Sequence, residues 1–155
     1  MREFRFAGAE TAHAQADALA ALERRDLRAI IICPSNPFVS VEPILAVPGI
    51  RAAIERSDAP VVAVAPIIGG KSIKGPAAKM MLELGLEVSA AGVARRYAGL
   101  IDGFVIDQAD PLPPPLSGIT YFGAATLMNT NDDRLRLAHA VLQSADTLHR
   151  IAPIA

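Results

Sequence analysis

Three short stretches of this 155-residue chain combine residue types that could do chemistry. The first is Pro34-Ser35-Asn36-Pro37, with Ser40 close behind. Two prolines restrict the backbone, and Ser35, Asn36 and Ser40 present short hydrogen-bonding groups. Such a loop could hold a phosphate or a base edge, or it could be a turn that satisfies its own backbone. The second stretch is Gly69-Gly70-Lys71-Ser72-Ile73-Lys74-Gly75-Pro76. Its glycines permit close backbone approach, its lysines supply positive charge, and a helix opening at Pro76 favours an anion nearby. A surface loop with solvated lysines explains the same residues. It is not a P-loop, because Ala65 stands where that motif needs its first glycine. The third stretch holds Asp107 and Asp110, carboxylates that could take magnesium beside phosphate oxygens or could be an exposed loop pair. His13, His139 and His149 share no metal-ligand spacing, so no residue is assigned to a metal, and none is assigned a catalytic role.

These stretches need elements to position them. Arg2–Phe6 alternates charged and aromatic residues, as a short strand would, and the alanine-rich run Glu10–Arg25 predicts a helix. Arg28–Cys33 is a β-branched apolar run stopped by Pro34, which predicts a buried strand and a buried Cys33 thiol. Glu42–Ala46 predicts a helical turn, and Pro48 opens a helix over Gly49–Arg56. Pro60–Ala65 predicts a second buried strand, and Pro76–Leu84 a helix stopped by Gly85. Ser89 caps a further helix through Ala98, and Gly103–Asp107 is a third strand. Asp110–Pro115 is too proline-rich for a sheet interior. Gly118–Ala124 predicts a fourth strand, and Asn131 or Asp132 caps a closing helix through His149. Short buried strands alternating with helices predict a single α/β domain over residues 1–155, a three-layer Rossmann-like fold with a mostly parallel sheet. Ligands of such sheets bind where loops leave the carboxyl ends of the strands, which is where the first two stretches fall.

Composition narrows the function. Hydrophobic residues make up 52% and aromatics 5%, so the core is built from small aliphatic side chains. A net charge of −1 argues against a broad nucleic-acid surface. No segment approaches the roughly 20 apolar residues that span a bilayer, and the start of the chain lacks a signal-peptide core. A cytoplasmic protein with no membrane and no nucleic-acid partner is therefore expected.

Longer blocks resemble a known family. Pro34–Pro37 through Ser40, followed by Pro43–Gly49, is similar to a signature of the 2-phospho-L-lactate transferases of coenzyme F-420 biosynthesis. So are Ala59–Val64 leading to Lys71, Lys74–Ala77, and Glu83–Gly85 with Ser89–Ala94, Tyr97 and Asp102–Asp107. Thr126–Met128 with Asp133-Arg134 and Leu137-Ala138 form a weaker block. The resemblance covers the C-terminal half of such an enzyme and implies its reaction. A guanosine diphosphate-activated phospholactyl group, or a phosphoenolpyruvate or phosphoglycerate analogue, passes to the deazaflavin Fo and GMP is released.

The resemblance further implies Mg2+, with its main ligands expected in an absent N-terminal half. It implies a substrate and nucleotide site drawn from Ser35, Asn36, Pro37, Ser40, Gly69, Gly70, Lys71 and Lys74. A separate N-terminal-half polypeptide and a homo-oligomer are expected partners, and the isolated chain is expected to be inactive. Ala125 and Arg96 depart from the Asp and His frequent at those positions. A non-catalytic nucleotide-binding or assembly module is the alternative. Related proteins that share the fold but serve cell-shape or carbon-metabolism regulation are a more distant one.

Overall fold

β-branched runs bounded by Pro and Gly make the short strands of this protein, and a computed structural model describes residues 4–151. β1 (Ile30–Ile32), β2 (Val61–Val64), β5 (Gly103–Asp107) and β6 (Thr120–Ala124) form one sheet in the order β1-β2-β5-β6, every pair parallel. Between β2 and β5 lies a small antiparallel hairpin, β3 (Ile67–Ile68) and β4 (Lys71–Ser72). The helices are α1 (Ala16–Leu22), α2 (Glu42–Leu45), α3 (Ile50–Arg56), α4 (Ala77–Glu83), α5 (Ala90–Arg96) and α6 (Asn131–Ile151).

Side chains alternate across each strand, so the sheet has two apolar faces. Ala63, Phe104 and Ile106 join Phe38, Ile54, Met81 and Val93 in the larger core, against α3, α4 and α5. Val62, Val64 and Val105 meet Leu137, Val141 and Ala145 of α6 on the other face. The three-layer, mostly parallel α/β architecture is thus present. Because the strand order rises without reversal, the right-handed crossovers β1–β2 and β2–β5 lie on one face, and α6 alone covers the other.

Several local expectations are corrected. Residues 2 and 3 of the expected first strand lie outside the described residues, and Phe4–Phe6 are not a strand. The expected helix 10–25 is only α1, preceded by a 3-10 turn at Ala9–Thr11; Gln15 caps α1 by accepting from the Ala18 N–H at 2.9 Å. Cys33 is exposed, not buried. β1 is the sheet edge and α6 packs on β2, β5 and β6, so side chains on that face of β1 stay uncovered, and Ile31 is exposed too.

Gly69 and Gly70 carry φ of 56° and 72° and form the two-residue turn of the β3–β4 hairpin. Two consecutive residues with positive φ suit the right-handed twist of a hairpin and favour glycine. The cap of α6 is Thr130, one residue earlier than expected. Its hydroxyl accepts from the Asp133 N–H (3.1 Å), and the Asp133 carboxylate accepts from the N–H of Thr130 and of Asn129 (both 2.9 Å). This reciprocal pattern is a capping box. No single helix among the described residues is long and apolar enough to cross a membrane.

Candidate functional site

All strands of the main sheet are parallel, so their carboxyl ends share one edge, and a pocket of about 190 Å³ opens there. Its walls come from three connections: Pro34-Ser35-Asn36 after β1, Ala65-Pro66 after β2, and Thr126-Leu127-Met128 after β6. Lys74, from the loop between β4 and α4, and Arg134, from the first turn of α6, complete it.

The Asn36 loop is built by its own side chain. Asn36 Oδ1 accepts from the N–H of Phe38 at 2.9 Å and, at 3.4 Å, from that of Val39, capping a wide helical turn over Pro37–Val41. The amide Nδ2 reaches only the Met80 sulfur, at 3.3 Å, a weak acceptor. Asn36 therefore builds its own turn through its oxygen, while its amide meets no oxygen acceptor among the described residues.

Pro37 and Phe38 are fully buried beneath this turn. The Arg96 guanidinium lies 4.6 Å from the Phe38 ring centre and pairs with Glu42, so α5 holds the loop from behind. Ser40 is exposed and lies outside the pocket.

The second stretch is divided by the hairpin. Ser72 Oγ donates to the Gly75 carbonyl at 2.9 Å and tightens the loop that presents Lys74 to the pocket. Lys71 is exposed on β4 and does not line it. Gly69 and Gly70 line a separate groove with Ser89 and Pro111. Ser35, Asn36 and Lys74 are thus brought together, whereas Pro37, Ser40, Gly69, Gly70 and Lys71 are not.

Asp107 acts beneath the pocket rather than in it. The residue is 7% exposed; one carboxylate oxygen accepts from the Ala109 N–H, the other from the Thr126 N–H and hydroxyl, each at 2.9 Å. Burial by itself would push this carboxyl up, but the hydrogen bonds from Ala109 and Thr126 outweigh it and hold it below the usual carboxylate range. The effect is to fold the loop after β6 back across the end of β5, which carries Thr126, Leu127 and Met128 to the pocket wall. Asp110 accepts from the Gly69 N–H at 2.7 Å and ties down the hairpin.

Both acids are thus turned to backbone, and among the described residues no three or more His, Cys, Asp or Glu cluster together. Asp133 is likewise engaged. Its carboxyl is held well below the usual range, first by Arg136 and then by the backbone N–H groups of Thr130 and Asn129.

Two pocket residues, Thr126 and Arg134, belong to the weaker family block but were not placed among the expected site residues. The capping box Thr130-x-x-Asp133 was the available signal, since it locates the start of α6 just past a strand end and puts Arg134 in the first turn.

The pocket at the carboxyl edge of the parallel sheet thus sets two cations beside an Asn–Ser loop. The 2-phospho-L-lactate transferase CofD family matches residues 1–143. A phosphoenolpyruvate transferase of Mycobacterium avium (strain 104) is 43% identical over 112 residues, covering 69% of this chain and 33% of the relative. One of Kitasatospora aureofaciens is 46% identical over 104 residues, covering 66% and 32%. One of Mycobacterium tuberculosis (strain ATCC 25618 / H37Rv) is 39% identical over 130 residues, covering 81% and 38%. The chain spans about a third of the length of these relatives. The match runs through the strands, the Asn36 loop and the Lys74 loop that build the pocket, and the chain belongs to the 2-phospho-L-lactate transferase CofD family.

Proposed function

We propose that this chain supplies the donor half-site of a CofD-type transferase. The donor is a three-carbon phosphoacid (phospholactate, phosphoenolpyruvate or a close analogue) joined through its phosphate to GMP. The acceptor is the ribityl hydroxyl of Fo. Its oxygen attacks the phosphorus that carries the three-carbon acid, the bridging P–O bond to GMP breaks, and the hydroxyl proton is lost. Such a transfer needs alignment and charge stabilisation more than a covalent intermediate.

One observation carries the reading: Ser35, Asn36, Lys74 and Arg134 meet in a pocket whose walls include no carboxylate. Lys74 and Arg134 would offset charge gathering on the leaving GMP, and Ser35 with the Asn36 amide would orient its phosphate. Ligand clefts usually enclose roughly 300–1,000 Å³, so about 190 Å³ suits a phosphate group more than a whole nucleotide. That agrees with a nucleotide whose other contacts, with magnesium and most of the Fo contacts, lie outside this pocket.

Calorimetry of the chain with GDP tests the half-site. Asn36→Ala is expected to bind GDP about 10-fold more weakly, the effect of losing one hydrogen bond to a charged group; unchanged affinity removes Asn36 from the site. Turnover assays with GDP-activated donor and Fo then separate the roles. Activity only on adding the region of a full-length relative that this chain does not match supports a half-site, and turnover by the chain alone refutes it. Nucleotide binding with no turnover in either arm favours a non-catalytic nucleotide-binding module.

A further inference from the structure

The main sheet ends in two strands that pair on one side only, β1 and β6, and they are protected to different degrees. An edge strand offers a row of free N–H and C=O groups, which short length, charge or proline can blunt. β1 has all three: it is three residues long, Arg28 stands two residues before it and Pro34 two residues after it. β6 has none of them. It is five residues long, no Asp, Glu, Lys, Arg or His lies between Asp110 and Asp132, and no proline follows Pro115 in that stretch. Besides β5, α6 is the element that packs on β6, and it does so from one face.

The ladder with β5 shows which groups point outward. The Thr120 N–H donates to the Asp102 carbonyl and the Ala124 carbonyl accepts from the Gln108 N–H, both at 2.8 Å, so Thr120, Phe122 and Ala124 turn their backbone toward β5. Parallel pairing engages alternate residues, so the N–H and C=O of Tyr121 and Gly123 point away from the sheet. Positions 121 and 123 also share the face of the larger core, against which Tyr121 packs. A Cβ built on Gly123 would meet nothing within 4 Å, so open space lies beside the outward-facing groups.

We propose that β6 pairs with β6 of a second copy of this chain, antiparallel about a two-fold axis at Phe122. In that register Tyr121 lies opposite Gly123 of the second copy, and the two exchange both N–H···O=C bonds, so all the outward groups are satisfied. The Tyr121 ring covers the open space beside the glycine, a pairing that stabilises Gly at a sheet edge. On the other face Phe122 meets its own copy in the close position without hydrogen bonds, where aromatic pairs are favourable. A shift of two residues would set Tyr121 or Gly123 against itself and lose this match. A second copy suits this edge because a two-fold axis sets every nearby charge against its own kind, and the stretch carries none. The two four-stranded sheets join into one, with their pockets at opposite ends of the β6 pair. The inference is therefore independent of the donor reading.

Sedimentation velocity of the full 155-residue chain over a wide concentration range tests it, with a reversible dimer expected. Gly123→Lys has room in the single chain but buries a charge in the pair, one from each copy. It is expected to weaken the dimer about 100-fold, about tenfold for each lysine. Ala52→Lys, at an exposed position of α3, is expected to stay within about twofold of wild type. Circular dichroism melting confirms that both variants are folded. Amide exchange of wild type by NMR needs no variant. The Tyr121 and Gly123 N–H groups are expected to exchange about 10-fold more slowly in concentrated than in dilute protein. The Ile31 N–H, which points outward from β1, is expected to be unchanged.

A chain that stays monomeric, or a dimer that Gly123→Lys leaves intact, overturns the pairing. So do Tyr121 and Gly123 amides that exchange alike at both concentrations, and protection that arises at Ile31 instead assigns the contact to β1.

Discussion

Asp107→Asn is the sharpest probe of how the site is held in place. The substitution keeps the size and shape of a residue that is 7% exposed. One oxygen remains to accept from Ala109, but the other becomes an NH2 group facing the N–H and hydroxyl of Thr126. Two bonds to a charged acceptor are lost and a buried N–H loses its partner. At about 1.5–3 kcal/mol for a hydrogen bond to a charge, with relaxation of the loop recovering some of it, the expected loss is about 3 kcal/mol. For a domain of this size that lowers the melting temperature by about 6–12 °C.

The sign with pH follows from a folded-state pKa held below its unfolded value. The carboxylate's contribution is fully present above about pH 4 and is lost as pH falls through the folded pKa. The gap in stability between wild type and Asp107→Asn should therefore be widest near neutrality and narrow below about pH 4. Urea unfolding followed at 222 nm suits a chain with no Trp. Thr126→Val, which removes only the hydroxyl bond, should cost about 1.5 kcal/mol. An Asp107→Asn protein that melts within about 2 °C of wild type and shows the same acid profile would refute the argument that this carboxylate anchors the wall of the pocket.

Two further outcomes are expected. Gly92→Ala should destabilise the chain by about 3 kcal/mol or prevent folding, since a Cβ there would stand 2.1 Å from the Glu87 carbonyl oxygen and 2.9 Å from the Met81 terminal carbon; an unchanged urea midpoint would exclude this close packing of α5. Arg96→Ala should cost about 1–2 kcal/mol, from the Glu42 pair and the stacking on Phe38. Arg96→Lys should fall between the two in the same unfolding assay, because it keeps the charge but not the plane.

Much of the architecture was legible from local signals. The runs around Ile30–Ile32, Val61–Val64 and Gly103–Asp107 are short, β-branched and bracketed by Pro, Gly or Asp, and each is a strand of the parallel sheet. Ser89 caps α5 as its position suggested, by accepting from the Gly92 N–H at 3.0 Å. The Asn36 loop and Lys74 were legible as well, because turn chemistry and family resemblance both reside in contiguous residues.

What escaped depended on groups distant in the chain. Arg134 joins Asn36 only because the loop after β6 is pegged to Asp107 and α6 starts beside it. The exposure of Cys33 depends on which strands α6 covers, which β1's own apolar run does not reveal. The glycines at 69 and 70 suggested a ligand cradle, yet their positive φ serves a hairpin turn, and that is apparent only once Ile67–Ile68 is seen to pair with Lys71–Ser72. Hydrophobic periodicity and turn residues act over a few positions, so this chain could specify its strands, most of its helices and its family by itself. Which charges go unpaired, and which loops share a cavity, were decided by long-range packing at the carboxyl edge of the sheet.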